Sequence, residues 1–212
     1  MTGMTILFLI LCGVVGFLFW KVMSKDKQGR PDRIRPYSPD ELRIENVEAG
    51  GVIRLTGIGP DLDDFDVKII AKHTYRQGES SWYELEGDRG EDKVWIDLDE
   101  DDELELAVTL KKLKLRDIGI EKKDLDKMDD DEKGQFTYDG ETFYYEDSDP
   151  AVFYRYSDDK ITDPFYYWDF ETESGNKFIG IERWSDGSYD VGYSEKLKPS
   201  QIMVYSLNSD QH

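Results

Sequence analysis

Hydrophobic positions fall into two regimes along the chain. The first is a continuous apolar run. From Ile6 to Trp20 no residue is charged, and with its flanks to Met23 the run reaches roughly 20 residues, about 30 Å of helix at ~1.5 Å per residue. The second regime starts near Gly50 and alternates. "VIRLTGI", "DFDVKIIAKHTYR", "SSWYELEGD", "EDKVWIDLD" and "DELELAVTL" place apolar and polar residues in turn, the period of half-buried strands. The last two predict a hairpin turning at Asp99 to Asp102. The stretch "KKLKLRDIGIEKKDLDKMDDDEKG" breaks the pattern and predicts a short helical turn and a connector. Strand idiom then resumes in "GQFTYDGETFYYEDS", "AVFYRYS", "PFYYWDFETES", "NKFIGIERW", "GSYDVGYSE" and "KPSQIMVYSL".

The two strand-rich runs resemble each other at an offset of 85 residues. Trp82-Tyr83-Glu84-Leu85-Glu86 falls on Tyr167-Trp168-Asp169-Phe170-Glu171, Gly90 on Gly175, Ile96 on Ile181, Asp97 on Glu182, Leu104 on Tyr189 and Leu106 on Val191. The expected fold class is therefore mainly β: an N-terminal transmembrane helix followed by two tandem antiparallel β units of small barrel or sandwich type. The expected divisions are an anchor over 1–23, a juxtamembrane linker over 24–44, a first β unit over 45–120, a connector over 121–135, a second β unit over 136–207 and a tail over 208–212.

The apolar start reads as a permanent anchor. No Lys or Arg precedes it, and Trp20-Lys21-Val22 offers no small-residue cleavage site. Leu11 before Cys12 does not fit a lipoprotein leader. Ile6, Leu9, Val14 and Phe17 would face lipid, with Trp20 and Lys21 at the interface. Lys21, Lys25, Lys27, Arg30, Arg33 and Arg35 all follow the run. The positive-inside rule then predicts a single-pass inner-membrane protein with its N-terminus out and its body cytoplasmic.

Charge narrows the partners. The chain carries −20 overall; residues 1 to 36 hold six basic and two acidic side chains, which leaves −24 on the rest. Such a body excludes nucleic acid, whose binding needs Lys and Arg against phosphate. An aromatic content of 13% sets it apart from a disordered acidic tail. The single cysteine, Cys12, lies in the apolar run, so the body has no disulfide or thiolate chemistry.

Candidate chemistry is sparse. His73 is the only histidine besides the terminal His212, and no second His, Cys or G-x-S-x-G motif completes a catalytic set. The run Asp97, Asp99, Glu100, Asp101, Asp102, Glu103, Glu105 invites Ca²⁺, but the sixth and twelfth positions from Asp97 are Asp102 and Val108, not the Gly and Glu of an EF-hand. Asp61, Asp63, Asp64 and Asp66, and Asp129 to Glu132, likewise lack ligand spacing. Gly57-Ile58-Gly59-Pro60 is no phosphate loop. The aromatic–acidic strands carry more. Trp82, Tyr83, Glu84, Tyr167, Trp168, Asp169 and Trp184, with Tyr144, Tyr145, Glu146 and Tyr166, mix rings with carboxylates as a cage for an organic cation does. The competing reading packs the rings into a core and turns the acids to water.

The segments from His73 to Leu106, Phe136 to Asp149 and Tyr166 to Val204, with their Trp-Tyr-Glu-Leu strand, "YDGETF" turn and Pro-Ser-Gln, resemble the bacterial domain of unknown function family 4178 (DUF4178). The resemblance covers about residues 45 to 205 and implies a bacterial, β-rich domain with no catalytic residues to carry over. Relatives occur beside genes for phage-shock-type membrane-stress proteins and polyamine synthesis enzymes, which implies an accessory role at the inner membrane. The expectation is a non-enzymatic, membrane-tethered interaction module, without cofactor, that recruits a protein partner; the alternative is a sensor domain for a polyamine or Ca²⁺.

Overall fold

Alternation decides which face each strand buries. β1 (Gly50–Ile58), β2 (Asp63–Gln77), β3 (Ser80–Asp88), β4 (Lys93–Asp99) and β5 (Glu105–Leu113) precede one helix, α1 (Lys122–Asp131). After it come β6 (Gln135–Tyr138), β7 (Glu141–Arg155), β8 (Asp158–Thr172), β9 (Lys177–Trp184), β10 (Tyr189–Lys196) and β11 (Ile202–Asn208). These elements are those of a computed structural model, which describes residues 38 to 208 apart from 39, 91, 101, 102 and 157, with only the backbone described over 158–161.

All pairings are antiparallel. The eleven strands form one sheet in the order β11-β1-β2-β3-β4-β5-β10-β9-β8-β7-β6. A further pairing joins β2 to β7 through Thr74–Tyr154, Tyr75–Phe153 and Arg76–Val152. Eight strands, β2-β3-β4-β5-β10-β9-β8-β7, thus close into a ring. Closure is possible because β2 and β7 each have 15 residues. β2 pairs β1 along 63–68 and β7 along 74–76; β7 pairs β6 along 141–144 and β2 along 152–154. The tight β6–β7 turn is Asp139-Gly140, both with positive φ (52° and 80°), as a two-residue turn of mirror-image type requires.

The ring is two four-stranded meanders, β2–β5 and β7–β10, joined edge to edge at two seams. At one seam Thr109 faces Ser194, their Oγ atoms 3.0 Å apart and buried. These residues lie 85 positions apart, the offset of the sequence pattern, so this seam has local pseudo-two-fold symmetry. This corrects the architecture expected from the sequence. The described chain carries no helix long and apolar enough to cross a membrane, and the strands do not form two tandem units, because β5–β10 and β1–β11 pairing fuses both runs into one sheet. The anchor assigned to Ile6, Leu9, Val14, Phe17, Trp20 and Lys21 lies outside the described residues.

The outward face of the ring is apolar. On the first meander Val67, Ile69, Leu85, Ile96 and Leu98 are fully buried, as are Ile53 and Leu55 of β1. On the second, Phe143, Trp168, Phe170, Ile179, Ile181 and Val191 pack with Leu125 of α1 and with Ile118 and Ile120. A ten-residue helix is marginal alone, and Leu125, fully buried, fastens it. Burial of a Leu side chain stabilises by about 2 kcal/mol. Asp124 accepts the Glu121 N–H at 2.9 Å to cap the helix start. Near its other end Asp129 accepts the Tyr166 hydroxyl at 2.8 Å, tying α1 to β8.

Candidate functional site in the barrel lumen

The inward residues are those the apolar face leaves behind. On β3 they include Trp82 and Glu84, on β4 Asp97, on β8 Phe165, Tyr167 and Asp169, and on β9 Gly180 and Glu182. They line a cavity of about 540 Å³. Eight-stranded barrels are just wide enough to fill with side chains or to hold one small ligand. Here small residues leave room: Gly180 and Gly192 both lie on the lining, beside Thr109 and Ser194.

Towards the β2–β7 seam the lumen is aromatic. The ring of Tyr75 stacks on Trp82 at 5.4 Å, meets Phe153 across the seam at 5.1 Å and Phe165 edge-on at 5.6 Å. Trp82 reaches Tyr167 at 6.2 Å, and these two sit on strands that are not sheet neighbours, so the contact spans the interior. Trp184 packs on Phe165 at 5.1 Å and donates its indole N–H to Asp190 at 3.1 Å. Tyr167 donates to Asp147 at 2.9 Å and lies 3.0 Å from Gln77 Oε1.

The remaining lining is acidic. Ten carboxylate residues and two lysines line the cavity, and one lysine, Lys196, faces Glu105 at 3.4 Å. The four central carboxyls are Glu84, Asp97, Asp169 and Glu182, two pairs at the 85-residue offset. Glu84 accepts the Tyr75 hydroxyl at 3.3 Å. Asp169 is open to cavity solvent and the other three are half-buried, yet all four are ringed by protein, which disfavours charge. Burial lifts Asp97 to about 6. It lifts Asp169 to about 7, with Asp147 and Asp97 adding repulsion. It lifts Glu182 to about 7; Lys112 opposes the rise, while Asp190, Asp97 and Asp169 add to it. Glu84 rises well above the usual range for the same reasons, burial first and then the charge of Asp97. The charge of Asp97 acts on Asp169 across the ring, from a strand that is not its neighbour.

Of the residues singled out by sequence, the structure brings Trp82, Glu84, Glu146, Tyr167 and Asp169 together on the lining, with Trp184 packed against the lining residue Phe165. Tyr83 and Trp168 point elsewhere, as period two requires of their positions. Trp168 is buried in the outer core against Tyr166 and Tyr189. Tyr83 lines a second hollow of about 350 Å³ with Lys72 and Glu48; there Lys72 is already satisfied, donating to the Glu45 carbonyl at 2.7 Å and lying 4.9 Å above the Tyr83 ring. Tyr144 is exposed and Tyr145 bonds Ser148 at 2.8 Å. His73 is buried; its Nε2 lies 3.3 Å from Glu86, and its Nδ1 accepts the Tyr156 N–H at 3.2 Å. Nδ1 thus serves the β2–β7 seam and Nε2 the β2–β3 pair. Sequence reasoning missed Asp97 and Glu182 as lumen groups, and missed Tyr75, Phe165 and Lys112. Asp97 was hidden within a longer acidic run, although its alternation with Ile96 and Leu98 marks its face.

Among the described residues no three His, Cys, Asp or Glu side chains converge to hold a metal ion. The lumen is an acidic and aromatic cavity within an antiparallel ring of strands. The sequence profile of the domain of unknown function DUF4178 matches residues 61–199, and the chain belongs to that family. No curated protein and no solved structure matches the chain.

Proposed function

We propose that this chain is a binding protein whose barrel lumen takes up a small organic cation of the di- or polyamine class. One observation carries the reading: Glu84, Asp97, Asp169 and Glu182 line one cavity with Trp82 and Tyr167, Tyr75 stacking on Trp82 and Lys112 being the nearby positive charge. Aromatic faces and carboxylates together favour ammonium groups, and the aromatic contribution grows when the cation is desolvated. Carboxyls spaced around a cavity suit a cation with several separated charges. A hard divalent ion needs oxygens that converge, and none of the described side chains provides that set. The adaptor reading drew on the first 37 residues, which lie outside the described ones; the lumen reading stands without them.

Calorimetry of the full chain with spermidine and, separately, with Ca²⁺ tests this. At about 150 mM salt, where the Debye length is ~8 Å, the proposal expects saturable spermidine binding that a Glu84→Gln/Asp169→Asn double variant loses. Heat that disappears with salt, or that the double variant retains, would mean diffuse attraction by the −20 chain.

A further inference from the structure

Lys112 differs from four other lysines of the barrel. Lys72, Lys93, Lys177 and Lys196 each have a named oxygen partner: the Glu45 carbonyl, Glu86, Glu141 and Glu105. Lys112 makes no hydrogen bond or ion pair within 4 Å among the described residues. Lys112 lies on the lining of the cavity, at its solvent-exposed edge, and its ammonium lies 4.5 Å from the centroid of the adjoining Trp95 ring. Its positive charge acts on Glu84, Asp97 and Glu182 at once.

The backbone is built to put it there. Thr109 faces Ser194 and Lys111 faces Tyr193, so Leu110 is an extra residue, a β-bulge at the β5–β10 seam. Without the bulge, alternation from Thr109 would send Lys111 inward and Lys112 out. With it, Lys111 turns outward, 5.7 Å from the Tyr193 ring, and Lys112 turns in. Bulges re-aim side chains beside functional sites. Opposite Lys112 is Gly192, which presents no side chain. The bulge also breaks the pseudo-symmetry: the residue 85 positions after Lys112 is Leu197, which is buried.

We propose that Lys112 is the resident cation of the lumen, an alkylammonium carried by the chain itself, which an incoming primary amine displaces. Resting on the amine-binding reading above, this assigns the ligand's first ammonium to the Trp95–Asp97 end of the cavity. Binding is then an exchange: the ligand's ammonium replaces Lys112 over Trp95, and the lysine swings to the mouth on its four-carbon stem. A lysine held by a ring face and a diffuse field, without a directed bond, is suited to leave. Self-occupancy lowers apparent affinity by the fraction of time the site is free, and it selects for ligands that outcompete one tethered charge, that is, those with two or more.

The test uses the full chain at about pH 7.5 and about 150 mM salt with 1,4-diaminobutane. Lys112→Met keeps the stem and removes the charge; it should bind the diamine about tenfold tighter than the native chain. Equal or weaker binding by a folded Lys112→Met chain, while the native chain binds, overturns the exchange and leaves the lumen reading intact. Binding by neither chain overturns both. A second readout needs no substitution. With the lysines reductively ¹³C-dimethylated, the Lys112 methyl signal should be shifted upfield by the Trp95 ring, and diamine should return it to the solvent position. A signal that starts at the solvent position, or does not move on saturation, contradicts the proposal.

Discussion

The two faces of the barrel strands differ in what they contribute. Outward, Leu85, Ile96, Leu98, Ile179 and Ile181 are buried almost completely in apolar surroundings. Inward, one residue along the same strands, Glu84, Asp97, Gly180 and Glu182 leave a space and line it with like charge. The outer face supplies the stability. The inner face works against it, since like charges held in a confined space repel and lose hydration. A fold under selection for stability alone would fill this lumen with side chains. That it is left open and acidic, at a cost to the folded state, is what supports the binding role proposed for it.

Breaking the outer face should have the largest effect. Ile96→Ala removes a fully buried side chain and should cost about 3 kcal/mol by denaturant unfolding, the range for such cavities being roughly 2–5 kcal/mol. The inner face should respond with the opposite sign. Asp97 titrates at about 6 in the folded chain, above its unfolded range near ~3.9. Its folded form therefore binds the proton more tightly, and stability falls as pH rises from about 4 through 6. Asp97→Asn should accordingly be more stable than the native chain by about 1–2 kcal/mol at pH 8, discounted for cavity solvent, and equal to it near pH 4. Denaturant midpoints at both pH values check this; a variant less stable at pH 8 would mean the carboxylate is satisfied. A smaller effect belongs to the seam. Thr109→Val leaves Ser194 buried without its partner and should cost about 1 kcal/mol. On the surface, Arg54→Ala removes a pair with Asp66 and should leave the denaturant midpoint essentially unchanged.

Much of this was legible in the sequence, for reasons that also mark where it stopped. Period two identified the strands and the β4–β5 hairpin, because alternation is local. The 85-residue offset already matched Glu84 with Asp169 and Asp97 with Glu182, the four central carboxyls. Tyr83 and Trp168 entered the candidate set because whole aromatic–acidic blocks were taken; the same alternation separates them from Trp82 and Asp169. The ring itself was not legible. It depends on β2 and β7 changing partners midway along their length and on two seams between residues some 80 positions apart, and no local pattern encodes such pairings. Lys112 was hidden for a different reason. A bulge reverses the inward–outward parity, so counting by twos along β5 points to the wrong lysine.

A structure of the chain with 1,4-diaminobutane would test the central claim most directly. The account predicts one diamine in the lumen, an ammonium over Trp95 beside Asp97, the other towards Asp169, and Lys112 moved out to the mouth. A diamine found only on the outer surface, with Lys112 still over Trp95, would contradict it.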